Sequence, residues 1–161
     1  MFHLRRIWRN FKNTESTDNF FFEDADGNRW GKTGDVGYID EDGDVYILGR
    51  AADIFISIKG NKIYNFDIEA VIRENCNIKD CEVVGFDKGK YEVPVAYLVI
   101  DNNYTGSKEE LLIKLHKVNK DKMDAEHVPA GYKFVKSFPV KNNGKRDMDA
   151  IKKDVNDIIW M

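Results

Sequence analysis

With 161 residues, 42% of them apolar and 33% charged, the chain can build one compact domain, or one domain with an appendage. A formal net charge of −3 gives no global nucleic-acid footprint, and no apolar run approaches the roughly 18 residues a bilayer crossing needs. Cys76, Cys81, His3, His116 and His127 share no metal-ligand spacing, so no metal site is expected.

In chain order, residues 1–12 are basic (Arg5, Arg6, Arg9, Lys12) and interleaved with Phe2, Leu4, Ile7, Trp8 and Phe11. An amphipathic membrane helix or an organelle presequence is one reading. The segment runs directly into a globular pattern, which favours a disordered or borrowed edge element. Residues 19–22 supply a strand-like aromatic run and Asp26-Gly27 a turn. Residues 36–39 and 45–48 read as two short strands about Glu41-Asp42-Gly43-Asp44, a strong hairpin signal. The acids Asp40, Glu41, Asp42 and Asp44 lack the loop length and closing glutamate of an EF-hand, so they read as a solvated turn.

Asp35 and Arg50 lie just outside the two arms, and antiparallel pairing would bring them together. A carboxylate suits a sugar diol, and a guanidinium suits a phosphate or sugar oxygen. The spacing equally describes an ordinary hairpin with a surface ion pair.

Residues 54–58 alternate as a strand that Gly60 ends, and Asn65 can cap a helix with Ile68, Val71 and Ile72 on one face. Residues 81–86 and 93–100 are apolar strands joined by Asp87-Lys88-Gly89-Lys90. The second is apolar on both faces, as a buried central strand would be. Ser107-Lys108-Glu109-Glu110 is a capping box, continued by Leu111, Leu112, Leu115 and Val118 as an amphipathic helix. Residues 132–135 read as a last strand, and Met148, Ile151, Val155 and Ile158 as a last helix. Strands and helices mix without a strict βαβ repeat. The expected class is therefore α+β: a small mixed β-sheet with two to three flanking helices, preceded by a β-hairpin remnant of a larger N-terminal domain. A boundary is expected at residues 50–53, dividing the chain into 1–50 and 51–161.

Several of these stretches carry a resemblance. Thr33-Gly34-Asp35, the hairpin ending in Gly49-Arg50, and the loop and helix from Gly60 to Glu69 stand in the order found in acyl-adenylate-forming enzymes. They resemble the end of the large domain and the start of the small C-terminal domain of that family, which comprises acyl-CoA synthetases, luciferases and peptide adenylation domains. Phe11-Lys12-Asn13-Thr14-Glu15-Ser16-Thr17 is similar to its Tyr-x-Asn-Pro-Glu-x-Thr. Pro139-Val140-Lys141-Asn142-Asn143-Gly144-Lys145 is similar to its Pro-x-x-x-x-Gly-Lys loop. The resemblance covers roughly residues 11 to 155, and the form of residues 60–69 looks more like CoA ligases than amino-acid-activating domains.

The resemblance implies roles. Lys145 would bridge the carboxylate and the α-phosphate during adenylation, offsetting charge that builds up in the transition state. Asp35 would hydrogen-bond ribose hydroxyls, Arg50 would contact ribose or phosphate, and Lys62 would lie near the nucleotide. Gly60 would belong to the loop facing the pantetheine channel in the thioester-forming pose. Ala52 would be the hinge between the two poses. The family usually has Asp or Lys at that hinge, and often Arg where this chain has Met148, so both positions depart from its pattern.

Implied cofactors are ATP/AMP and CoA, with magnesium held mainly by the large domain. Implied partners are a large adenylate-binding domain supplied in trans or lost, a small-molecule carboxylate, and CoA. No nucleic acid and no membrane is expected, and the thiols read as reduced in a cytoplasmic protein. These residues include no Ser/Thr/Gly-rich phosphate loop and no Tyr-Gly-x-Thr-Glu motif. Alone, then, the chain is expected to be a catalytically incomplete C-terminal part of an ATP-dependent acyl-CoA synthetase. The alternative is a non-enzymatic binding module for CoA, a carrier protein or another protein. A third reading, membrane or RNA binding through residues 1–12, predicts salt-sensitive binding.

Overall fold

The computed structural model of the chain describes residues 2–3, 18–75 and 77–161. The basic segment beyond residues 2–3, the motif at 11–17 and Cys76 lie outside them. The chain divides into two compact units, Met1–Ala52 and Asp53–Met161.

In the first unit, β1 (Phe2–His3), β2 (Phe21–Glu23) and β3 (Arg29–Gly31) form an antiparallel sheet in the order β1-β3-β2. The aromatic run expected as a strand from residue 19 is helical through residue 20, and pairing starts only at Phe21. Asp24 ties the β2–β3 turn: its carboxylate accepts from the Trp30 indole at 2.7 Å and from the Asn28 amide at 2.8 Å. The Trp30 bond, then the Asn28 amide, draws its pKa down to about 2. A second sheet is the hairpin of β4 (Asp35–Ile39) and β5 (Val45–Arg50). At its turn the Asp40 carboxylate accepts from the amides of Asp42 and Asp44, so local backbone occupies this acid.

The second unit is built on β8 (Ile78–Asp87) and β9 (Glu92–Ile100), paired antiparallel over nearly their whole length. On the far side of β9, β10 (Gly131–Phe134) runs parallel, and β11 (Ile159–Trp160) closes the order β11-β10-β9-β8. The hairpin of β6 (Ile54–Ile56) and β7 (Lys62–Tyr64) packs near β8. Helices α1 (Asn65–Asn75), α2 (Lys108–Lys122) and α3 (Met148–Lys153) flank the sheet.

Alternation along β9 separates two cores. Ala96 and Leu98 join Ile68, Ile72, Leu111 and Leu115 of α1 and α2, whereas Val95 and Tyr97 join Ile151 of α3. The capping box of α2 is formed: the Ser107 hydroxyl accepts from the Glu110 amide, and the Glu110 carboxylate accepts from the Ser107 amide.

The last helix is shorter than its apolar spacing suggests. It ends at Lys153, and Ile159 and Trp160 form a strand instead. Asp154 accounts for the change. Its carbonyl accepts from the Tyr97 hydroxyl at 3.0 Å and its carboxylate pairs with Lys133 at 2.5 Å, which holds the chain to β9 and β10 where a helix would lift it away. Asp157 then adopts a φ of 57°, a turn conformation.

Gly85 lets the β6–β7 hairpin seat on β8, because a Cβ there would stand 2.8 Å from the Phe55 Cβ. Gly85→Ala is therefore expected to destabilise the second unit by about 1–3 kcal/mol in urea unfolding. An unchanged midpoint would show that Phe55 moves aside freely.

Candidate functional site

In the first unit, strand register sets Asp35 opposite Arg50, and Arg50 Nε meets Asp35 Oδ1 at 3.1 Å. The guanidinium also donates to the Thr33 carbonyl at 3.0 Å, and the Asp35 amide donates to the Thr33 hydroxyl at 3.2 Å. Both side chains keep contact with solvent. An exposed pair of this kind contributes little to stability, so a polar ligand can exchange for it at small cost. Ala52 lies in the 3-10 turn Ala51–Asp53 and is the last residue of the first unit.

In the second unit, Gly60 sits in the turn between β6 and β7 with φ of 83° and open space around its missing Cβ. Backbone conformation alone therefore requires glycine there. Lys62 is exposed at the start of β7, opposite Ile56. Glu126 fastens this turn, accepting from the Ser57 hydroxyl at 2.9 Å and the Asn61 side-chain amide at 2.7 Å.

Lys145 belongs to a second tight hairpin. The Lys141 amide donates to the Lys145 carbonyl at 2.7 Å, the Gly144 amide to the Lys141 carbonyl at 2.9 Å, and Gly144 has φ of 77°. The two lysines of this loop differ. Lys141 pairs with Asp149 at 3.1 Å and Asp147 at 3.8 Å, and its pKa is raised, chiefly by the Asp149 bond. Lys145 is exposed and makes no ion pair among the described residues.

At the base of that loop is a charged cluster that sequence reading missed. The Arg146 guanidinium bonds the carboxylates of Asp80 and Glu82, and it lies 4.6 Å over the Phe138 ring. Arg73 of α1 pairs with Glu69 at 3.0 Å and Asp80 at 3.8 Å, and donates to the Cys81 carbonyl at 2.6 Å. Glu69 also accepts from the Val83 amide at 3.0 Å. Burial, then the nearby Glu82 charge, pushes the Glu69 carboxyl up to about 7. Burial pushes the Cys81 thiol up to about 12, which keeps it protonated and unreactive. The legible signal was Asp80 and Glu82 at alternate positions ahead of the apolar run Val83-Val84-Gly85-Phe86, with a cation directly after Lys145.

Residues 67–145 match the family described as AMP-binding enzyme C-terminal domain. Over that segment the chain is similar to that family. Its curated relatives include a 2-succinylbenzoate–CoA ligase of Bacillus pumilus, 36% identical over 76% of this chain and 24% of that one. Another is a 4-coumarate–CoA ligase-like protein of Arabidopsis thaliana, 33% identical over 84% of this chain and 23% of that one. Among solved structures, an o-succinylbenzoate CoA synthetase from Bacillus subtilis, in complex with its acyl-adenylate intermediate, superposes with TM-score 0.72 and 28% identity. The match covers 90% of this chain and 28% of that one. An ATP-bound MatB from Rhodopseudomonas palustris gives TM-score 0.74 and 25% identity over 91% and 27%. The chain thus spans about a quarter of the length of the curated relatives it matches. No described helix is long and apolar enough to cross a membrane.

Glu69 makes the second unit pH-sensitive. Its folded pKa of about 7 exceeds the ordinary 4.5, so the folded state holds this proton more tightly than the unfolded chain. The stabilisation is complete below about pH 4.5 and is lost as pH rises through about 7. We expect Glu69→Gln to gain stability relative to wild type between pH 5 and pH 8, on the order of 2 kcal/mol by urea unfolding. A constant wild-type-to-variant difference across that range would refute the proton assignment.

Proposed function

We propose that this chain is the C-terminal part of an ATP-dependent acyl-CoA synthetase that adenylates a carboxylate and then forms a thioester with CoA. The observation that carries the reading is the Lys145 ammonium, exposed on a glycine hairpin and without an ion pair among the described residues, beside a Lys141 already paired with two aspartates. Attack of a carboxylate on ATP gathers negative charge at one phosphorus. An ammonium with no carboxylate of its own is the group suited to offset that charge.

In this reading Asp35 holds the ribose hydroxyls and Arg50 a ribose or phosphate oxygen, each exchanging the weak pair they make with one another. Lys62 contributes positive charge near the nucleotide. The Gly60 turn faces the incoming thiol, and Ala52 is the hinge. Magnesium and the acyl pocket belong to a large adenylate-binding domain. The β4–β5 hairpin supports such a partner, because Tyr38, Ile39, Val45, Tyr46, Ile47 and Leu48 are all exposed. The nucleotide reading is further supported by neighbours solved with ATP or an acyl-adenylate.

The test is acyl-dependent ATP–pyrophosphate exchange by the chain alone and mixed with candidate large domains. Exchange is expected only in a mixture and is expected to fall about 10²-fold or more with Lys145→Ala. Silence in every mixture, with retained CoA or carrier-protein binding, would favour a binding module. Gly60→Leu is expected to slow thioester formation more than exchange. Equal loss of both steps would argue that the turn has only a structural role.

A further inference from the structure

The loop that carries Lys145 is fastened at its base. Val140 and Arg146 pair across its base as an antiparallel bridge, and the Asp147 amide donates to the Pro139 carbonyl at 2.9 Å. Arg146, at the bridge, turns inward, whereas Lys145 sits in the bend just before it. The two burials agree: Lys145 is exposed, whereas Arg146 is partly buried against Glu82, whose side chain is 10% exposed.

The attachment is a fork. One terminal nitrogen of Arg146 bonds the Glu82 carboxylate and reaches the Cys81 carbonyl at 3.3 Å, while the other bonds Asp80. The face of the guanidinium covers Phe138, on the other arm of the loop, whose side chain packs against the core of Val84, Val95, Tyr97 and Ile151. A single side chain therefore fastens both arms to β8. Asp80 is itself steadied by Arg73, which ties the fork to α1. The loop's other ion pairs, from Lys141 to Asp147 and Asp149, are more exposed and hold less firmly.

We propose that Arg146 is the positioning residue for Lys145, setting the adenylation lysine in place through its fork onto Asp80 and Glu82. The role of Lys145 in this inference rests on the reading given under the proposed function. Lysine cannot replace the fork, because an ammonium presents a point charge and neither bridges two carboxylates in a plane nor stacks flat on Phe138.

The first measurement is amide hydrogen exchange in the full chain, which needs no activity. Arg146→Met is expected to speed exchange at Lys141, Gly144 and Asp147 by about tenfold or more, while Leu98 and Leu115 remain protected. Because Arg146→Met strands the Glu82 carboxylate, the double variant Arg146→Met/Glu82→Gln is measured beside it. Loop exchange unchanged in both would overturn the anchor.

The second measurement uses whichever large-domain mixture supports ATP–pyrophosphate exchange. There Arg146→Met and Arg146→Lys are expected to lower kcat about 10- to 100-fold, leaving the KM for ATP and thioester formation from supplied acyl-adenylate within about threefold. A loosened loop with unchanged kcat would overturn the positioning role. If Lys145→Ala itself leaves exchange activity intact, the ligase reading falls, and the hydrogen-exchange result still decides whether Arg146 anchors the loop.

Discussion

The second unit depends on one pairing, β8 against β9. From Ile78 to Asp87 and from Glu92 to Ile100 the two strands form the longest ladder among the described residues, and much of the unit packs directly on one of them. α1 packs on β8, β10 pairs with β9, and the Gly60 hairpin seats at Gly85. Because β9 is buried on both faces, it can carry a helical layer on each side, and its alternating residues divide between two cores. A strand held this rigidly is a suitable base for short loops whose tips must be placed accurately.

The partner strand β8, together with α1, carries a dense cluster of charge. Glu69 and Glu82 are nearly buried and close enough for one to raise the pKa of the other, an arrangement that alone would favour unfolding. Arg73 and Arg146 supply two guanidiniums for three carboxylates, and the balance closes when Glu69 keeps its proton. Backbone groups complete the set, with the Val83 amide donating to Glu69 and the Cys81 carbonyl accepting from both arginines. Removing any one member strands another, so the cluster acts as a unit.

Much of the architecture was legible because local signals agreed with the global fold. The α+β class, the two long strands, the buried double-faced β9 and the Ser107 capping box all follow from spacing and residue type. The last helix was misread for a definable reason. Val155 and Ile158 fit a helical period after Met148 and Ile151, but Asp154 bonds across the sheet to Tyr97 and Lys133, and that tertiary contact outweighs the periodicity. The short start of β2 is of the same kind, since three consecutive phenylalanines show β propensity without showing which of them finds a partner strand. The motifs single out Asp35, Arg50, Gly60, Lys62 and Lys145 as candidates for chemistry. What the motifs could not carry was Arg146, because its importance lies in Asp80 and Glu82, more than 60 positions earlier in the chain.

That separation of tasks has a physical logic. A lysine meant to meet a developing negative charge cannot also be held by an ion pair of its own, since breaking the pair would subtract from whatever the new contact supplies. Lys141 illustrates the loss: its two aspartates give it order and occupy its charge. Moving the anchor one residue along the chain avoids the conflict. Arg146 takes the structural contacts, and Lys145, in the bend before it, stays exposed with no ion pair among the described residues. The Gly60 turn is built on the same plan, with Glu126 gripping Ser57 and Asn61 at the base and a positive-φ glycine left clear at the tip. In both loops the order is supplied from flanking residues, so the Lys145 ammonium and the space at Gly60 stay open, as the proposed chemistry would need.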